Sequence, residues 1–254
     1  MTADEYVRNV IRKHELPMQI DQATNTHIIA PVRSLISNWA GNYLCDVKIS
    51  GSRAKGTAID LSSDLDLFIS LSSNLTMSLS DIYNSLYAKV TSAGIKARKQ
   101  NVSIGISYKG KKIDLVPAKR QGQYGGDHSL YKRKTNTWTK TNIDTHISNV
   151  LHSGRRNEII ALKIWRENHT LEFPSIVLET FTIDALSKHS TTTLADNFLY
   201  VLECVRDNIE NAYVLDPANS NNVISDDLSR YEKSILAQQA EKSILEQNWM
   251  DIIW

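Results

Sequence analysis

Residues 65–71 read LDLFISL. Apolar side chains at nearly every position, over a length typical of a strand, predict a buried β-strand. Asp66 sits inside that run, and Asp64 stands two residues before it. Residues i and i+2 of a strand point to the same face. The two carboxylates are therefore expected side by side, about 7 Å apart along the chain. Two like charges at that spacing repel, and each is costly to bury unpaired. A divalent cation removes both problems. Carboxylate oxygens are ligands that Mg²⁺ prefers, with water and substrate phosphates completing its shell.

The neighbouring residues extend this reading. Upstream, GSRAKGT (51–57) follows an alternating stretch, YLCDVKIS (43–50), and reads as a strand-to-helix junction. Backbone N–H groups at Gly51 and Ser52, with the Ser52 hydroxyl, can face a triphosphate there. Downstream, KIDLVPA (112–118) carries a third acid, Asp114, in an apolar strand that pairs with VSIGISY (102–108) as a hairpin across a KGK turn. If the 112–118 strand lies beside 64–71, three carboxylates converge. Three carboxylates can hold two metals, Mg²⁺ or Mn²⁺. Two metals can activate an attacking hydroxyl and stabilise a leaving pyrophosphate in one in-line displacement.

The rest of the chain changes character partway along. Residues 3–14, 19–40 and 78–94 have helical periodicity, residues 119–140 read as a polar loop, and every segment after 141 reads as helix. Of the tryptophans, Trp138, Trp165, Trp249 and Trp254 are expected in the core. Tyr124, in QGQYGGD, is the better candidate for base stacking. A hydrophobic fraction of 41% over 254 residues supports an ordinary core, and a net charge of +1 gives no overall basic field. Residues 108–140 nevertheless hold nine Lys or Arg against two Asp, a local run that can guide a short polyanion. Cys45 and Cys204 offer neither a metal-ligand spacing nor a disulfide framework, which suits a reduced compartment. The first residues are charged, and no window approaches about 18 consecutive apolar residues. The expectation is a cytoplasmic protein without a membrane span.

Taken together, G-S-x-A-x-G-T, then S-D-L-D-L, then I-D-L-V-P resembles the DNA polymerase β-like nucleotidyltransferases. The oligoadenylate-synthase-like branch is the nearest. It includes bacterial synthases of oligonucleotide signals used in phage defence, and the archaeal-type CCA-adding enzymes are also similar. The resemblance runs over residues 35–254. RNEIIALKIW (156–165) resembles a helix whose lysine, here Lys163, contacts the triphosphate. VLDPANSNNV (214–223) resembles a late loop of that group, with Ser220 in place of a second proline, and NWMDIIW resembles its terminal helix. Ser175, after Pro174, reads either as a helix cap or as a further phosphate contact.

The resemblance implies an α+β fold. A mixed-sheet catalytic core with N-terminal helices would occupy residues 1–140 and a helical lobe 141–254, with a cleft between them. It implies a template-independent transfer in which Asp64 and Asp66 bind both metals and Asp114 binds the metal on the attacking hydroxyl. The substrate would be a nucleoside triphosphate and the product an oligonucleotide signal, read by a downstream effector protein. Other readings stay open: a minimal defence enzyme making single-stranded DNA oligomers from a protein hydroxyl, a tRNA-end or toxin-type nucleotidyltransferase, or an inactive nucleotide sensor.

Overall fold

A computed structural model describes residues 1–62, 64–189 and 193–254. The chain forms two compact units, one of residues 17–55 and 64–147, the other of residues 1–16, 56–63 and 148–254.

The first unit is built on a mixed sheet. Its strands β1 (Leu44–Ser50), β2 (Leu65–Leu71), β3 (Lys96–Lys99), β4 (Ile104–Tyr108) and β5 (Lys111–Arg120) lie in the order β1-β2-β5-β4-β3. A hairpin of β6 (His128–Lys132) and β7 (Thr137–Thr141) continues from the far end of β5. The β2–β5 pair is parallel and the other pairs are antiparallel. Alternation divides β2 between two environments. Leu65, Leu67, Ile69 and Leu71 enter a core with Ile36 of α3 (Ala30–Ala40) and with Ile82, Tyr83, Leu86 and Val90 of α5 (Leu79–Ser92). Each such aliphatic side chain contributes about 1.5–3 kcal/mol when fully buried. Asp66, Phe68 and Ser70 point the other way, and Phe68 packs with Ala118 and Leu130 in a small separate cluster.

Local chemistry explains several connections. Lys109 and Gly110 both have positive φ, as the two-residue turn between β4 and β5 requires. Pro117 sits inside β5, where a missing N–H normally breaks a ladder. It is tolerated because the outer edge of β5 passes from β4, paired through Leu115, to β6, paired from Lys119, leaving 116–118 without a partner on that side. The predicted helix 19–40 is interrupted: α2 (Gln22–Thr24) leads into a π segment, Asn25–Ile29, and then α3. Pro31 has no N–H to continue the regular ladder, and the wider turn precedes it.

Residues 119–140 are not a loop throughout, since they contain β6 and most of β7. Trp138 lies on β7 and is 60% exposed, so it is not a core residue, whereas Trp165 is fully buried. Tyr124 is exposed, as a loop residue.

The second unit is largely helical. It gathers α1 (Ala3–His14), α7 (Arg156–Asn168), α8 (Ser175–Leu186), α9 (Leu194–Asn208), α10 (Arg230–Leu245) and α11 (Trp249–Ile252). Val7, Val10 and Ile11 of α1 share one core with Ile159, Leu162, Ile164, Trp165, Leu178, Phe198 and Leu236. Asp4 accepts hydrogen bonds from the Leu194 and Ala195 N–H groups, so α1 supplies a carboxylate to the start of α9. The stretch 214–223 forms a small hairpin of β8 (Leu215–Asp216) and β9 (Asn219–Val223). Buried Asp216 accepts from the Ala218 N–H and from Asn222 Nδ2, which fixes that turn. The remaining helix, α6 (Ile143–Leu151), spans the boundary in sequence between the two units.

Among the described residues, no helix is long and apolar enough to cross a membrane.

Candidate active site

The sheet register brings two of the sequence-predicted acids face to face. Asp66 on β2 is the direct partner of Asp114 on β5 in the parallel pair. Ser50 on β1 lies opposite Asp66, Gly105 on β4 opposite Asp114, and Arg98 on β3 opposite Gly105. One row across five strands therefore reads Ser50, Asp66, Asp114, Gly105, Arg98. Asp64 precedes the first β2 residue, Leu65, and with Asp114 lines a common cavity. Ser63 of the SDLDL motif lies outside the described residues.

Gly51 joins this row through Asp66. It has a φ of +59°, and a Cβ built on it would sit 1.8 Å from Asp66 Oδ2. Only glycine fits both the backbone and the space. The side chain of Asp66 thus lies against the turn that starts α4 (Gly51–Lys55), which also carries Ser52.

Asp114 is held from its other side by a short turn. Gln100 Nε2 donates to Asp114 Oδ1 at 3.1 Å. Ser103 Oγ donates to Gln100 Oε1 at 2.5 Å and lies 3.4 Å from Asp114 Oδ2. Fully buried Tyr83 fixes the turn from the core, donating to the carbonyls of Gln100 and Ser103 at 2.9 Å. Sequence reasoning missed Gln100 and Ser103. The available signal was Gly105, a glycine inside a strand, which marks a close approach. A Cβ there would meet Gln100 Nε2 at 2.7 Å, Arg98 Nε at 3.0 Å and Asp114 Oδ1 at 3.2 Å.

The electrostatics follow from this packing. Burial pushes the Asp114 carboxyl above its ordinary range, and the nearby Asp64 charge pushes the same way. Arg98, Ser103 and Gln100 pull it down by less.

An oxygen-only donor set with repelling carboxylates fits a hard divalent cation, which would relieve the charge that raises Asp114. The three carboxylates do not form a closed ligand set as their side chains stand. Among the described residues, no group of three His, Cys, Asp or Glu is close enough to hold an ion. The Asp66 carboxylate stands against the Gly51 turn.

Two other sequence-predicted residues belong to the helical unit. Lys163 is buried, and its Nζ donates to Glu179 Oε1 at 2.6 Å and to Thr57 Oγ1 at 2.9 Å. Ser175 is the first residue of α8, and its hydroxyl accepts from Arg166 Nη1 at 3.0 Å.

No family model matches the chain, and no curated protein sequence matches it. Solved structures do. The CdnE cyclic dinucleotide synthase of Elizabethkingia meningoseptica, solved with GTP and Apcpp, aligns over 97% of this chain and 100% of its own with a TM-score of 0.74 at 11% identity. The CD-NTase CdnG of Bradyrhizobium diazoefficiens, in complex with GTP, aligns over 96% and 91% with a TM-score of 0.74 at 14% identity. CdnC of E. coli MS115-1 with ATP aligns over 94% and 89% with a TM-score of 0.72 at 16% identity. The chain therefore has the polymerase-β-like nucleotidyltransferase fold, α+β with a mixed sheet and helices, which the resemblance in sequence implied.

Proposed function

We propose that the chain is a metal-dependent, template-independent nucleotidyltransferase that joins nucleoside triphosphates into an oligonucleotide signal. The register pairing of Asp66 with Asp114, beside the Gly51 turn and with Asp64 two residues ahead, is the observation that carries the reading. The shared fold supports it, because the similar structures include a cyclic dinucleotide synthase and complexes with ATP and GTP. A role in antiviral defence and a downstream effector protein belong to the same proposal.

In this reading the Gly51–Ser52 turn receives the triphosphate, its backbone N–H groups and hydroxyl facing phosphate oxygens. Asp64, Asp66 and Asp114 would hold Mg²⁺ or Mn²⁺, two per site, with Asp66 turning from Gly51 to join the other carboxylates. Such ions supply charge stabilisation at the attacking and leaving oxygens. The acceptor hydroxyl oxygen forms a bond to the α-phosphorus. The bond from that phosphorus to the bridging oxygen of the β-phosphate breaks, and pyrophosphate leaves with the electron pair. Asp114 helps take the hydroxyl proton, its Oδ1 held by Gln100 and its Oδ2 near Ser103 Oγ. For Lys163 and Ser175 to contact phosphate, the anion must displace Glu179 and Arg166 from them.

The test is to incubate the protein with each labelled NTP and dNTP plus Mg²⁺ or Mn²⁺ and resolve the products before and after protease. Free oligomers or cyclic products are expected. Label that protease removes would favour a protein acceptor, and no pyrophosphate from any triphosphate would refute nucleotidyl transfer.

A further inference from the structure

Asp114 is gripped by a side chain from outside the strands. In the turn between β3 and β4, Gln100 Nε2 lies 3.1 Å from Asp114 Oδ1, and Ser103 Oγ lies 2.5 Å from Gln100 Oε1. A serine hydroxyl has one proton to give. Its contact with Gln100 is far shorter than its 3.4 Å approach to Asp114 Oδ2, so the proton goes to Gln100. That bond decides which way the amide faces. With Oε1 engaged by Ser103, the NH₂ end points at the carboxylate. The reverse orientation would set oxygen against oxygen.

The turn does not use this amide to hold its own shape. The Gln100 N–H donates to the Ser103 carbonyl at 3.0 Å, and the Tyr83 hydroxyl lies 2.9 Å from the carbonyls of both residues. Arg133, between β6 and β7, donates from Nε to the Gln100 carbonyl at 3.0 Å and from its N–H to the Asn101 carbonyl at 2.8 Å. The Lys134 N–H donates to Asn101 Oδ1 at 3.0 Å. Gly105 points the same way from a different element. It lies opposite Asp114 in the β4–β5 register, and a Cβ there would stand 2.7 Å from Gln100 Nε2. Its backbone lacks the positive φ that would by itself call for glycine. Strand β4 omits a side chain where the amide crosses it to reach Asp114.

We propose that Gln100 is a positioning residue for Asp114: its amide, aimed by Ser103, holds the carboxylate in the orientation in which it meets a metal ion. The proposal rests on the nucleotidyl-transfer reading. A carboxylate held at one oxygen has less freedom to lose when an ion arrives. The donor is neutral, so it orients Asp114 without cancelling the charge that attracts the cation. Loss of such a partner typically costs about 10- to 100-fold in metal affinity or activity.

The test is a double-mutant cycle read by Mn²⁺ affinity, with a non-hydrolysable triphosphate present and the free ion followed by electron paramagnetic resonance. Gln100→Met keeps the length of the side chain and removes both its donor and its acceptor. The Mn²⁺ binding that Asp114→Asn abolishes should be about tenfold weaker in Gln100→Met. Ser103→Ala should weaken it by less. Gln100→Met/Ser103→Ala should fall no further than Gln100→Met alone, because Ser103 acts through the amide. Gln100→Met should change nothing more in the Asp114→Asn background. With Mg²⁺ and a triphosphate substrate, kcat for pyrophosphate release should drop about tenfold in Gln100→Met while KM for the triphosphate holds. Gly51 and Ser52 lie beyond Asp66, at the other end of the row. Wild-type Mn²⁺ affinity in Gln100→Met or in Asp114→Asn, an additive loss from Ser103→Ala, or an effect of Gln100→Met that persists in the Asp114→Asn background would overturn the proposal. A Gln100→Met protein that does not fold would overturn it too, since the turn would then depend on the side chain. A protein that releases no pyrophosphate from any triphosphate would count against nucleotidyl transfer, and the Mn²⁺ cycle would still decide the role of Gln100.

Discussion

Two clusters of charged side chains lie among apolar neighbours in this molecule, and they differ in how their charge is met. In the helical unit, Lys163 and Glu179 are almost completely buried, 2.6 Å apart, with Thr57 as a third partner. Opposite charges are settled there within the fold. In the sheet unit, Asp64 and Asp114 carry the same sign, and the Asp64 charge adds to burial in making Asp114 harder to ionise. The first arrangement is complete without a ligand. The second is relieved by a cation. Burial and charge alone do not mark a functional site; the sign of the neighbouring charge separates architecture from chemistry.

The largest expected effect lies in the like-charged cluster. Asp64→Ala, Asp66→Ala and Asp114→Asn should each lower pyrophosphate release by roughly a thousandfold or more. Metal-borne charge stabilisation amounts to several kcal/mol, and about 1.4 kcal/mol is tenfold in rate. The fold should persist in each, checked by an unchanged far-ultraviolet spectrum. A single variant that keeps wild-type turnover would remove its carboxylate from the account.

The opposite-charged pair should respond in stability. Lys163→Met or Glu179→Leu alone strands a buried charge and should cost about 3–5 kcal/mol in denaturant unfolding. The double substitution should recover most of that loss, because no charge remains to be stranded. The same double separates two roles for Lys163. Restored stability with unchanged triphosphate affinity makes the lysine structural, whereas restored stability with weakened affinity makes it a phosphate contact.

The smallest effect concerns pH. Burial and Asp64 raise the Asp114 carboxyl above its unfolded value. Between the unfolded and folded values the native state holds more protons, so stability falls as pH rises through that window. Asp114→Asn should therefore melt higher than the wild type at neutral pH in chelator, and the advantage should vanish in acid, where Asp114 is protonated in both states. An advantage independent of pH would assign the gain to packing. His128 works in the other direction. Burial lowers its affinity for protons, and it sits between Ser70 Oγ and the Gly126 carbonyl. Its contribution is present above the unfolded value of about 6.5 and fades as pH drops below it.

Much of the carboxylate row was legible because its spacing is local. LDLFISL spans β2 as the structure has it, whereas Asp64 stands one residue before the strand, where the i, i+2 rule does not fix its face. The pairing of Asp66 with Asp114 needed a strand order that no local pattern states, though a shared apolar character hinted at adjacency. The β6–β7 hairpin was hidden because each face mixes polar and apolar side chains, Lys132 and three threonines with Leu130 on one, Lys140 with Tyr131 and Trp138 on the other. Tyr131, Trp138 and the threonines were the available signal, as residues that favour strands. Strand β3, KARK, holds a single small apolar side chain because it is an exposed edge, where lysine also discourages pairing with other chains. The association of α1 with α7 and α9 joins residues more than a hundred positions apart and leaves no mark in periodicity.

The contrast between the two clusters is tested most directly by titrating Mn²⁺ into the protein with a non-hydrolysable triphosphate present, following the free ion by electron paramagnetic resonance. The wild type and Lys163→Met/Glu179→Leu should bind Mn²⁺ alike, and Asp64→Ala/Asp66→Ala/Asp114→Asn should bind none beyond what the triphosphate holds by itself. Mn²⁺ bound equally by the triple-aspartate variant and the wild type would contradict the assignment of the like-charged row as the metal site.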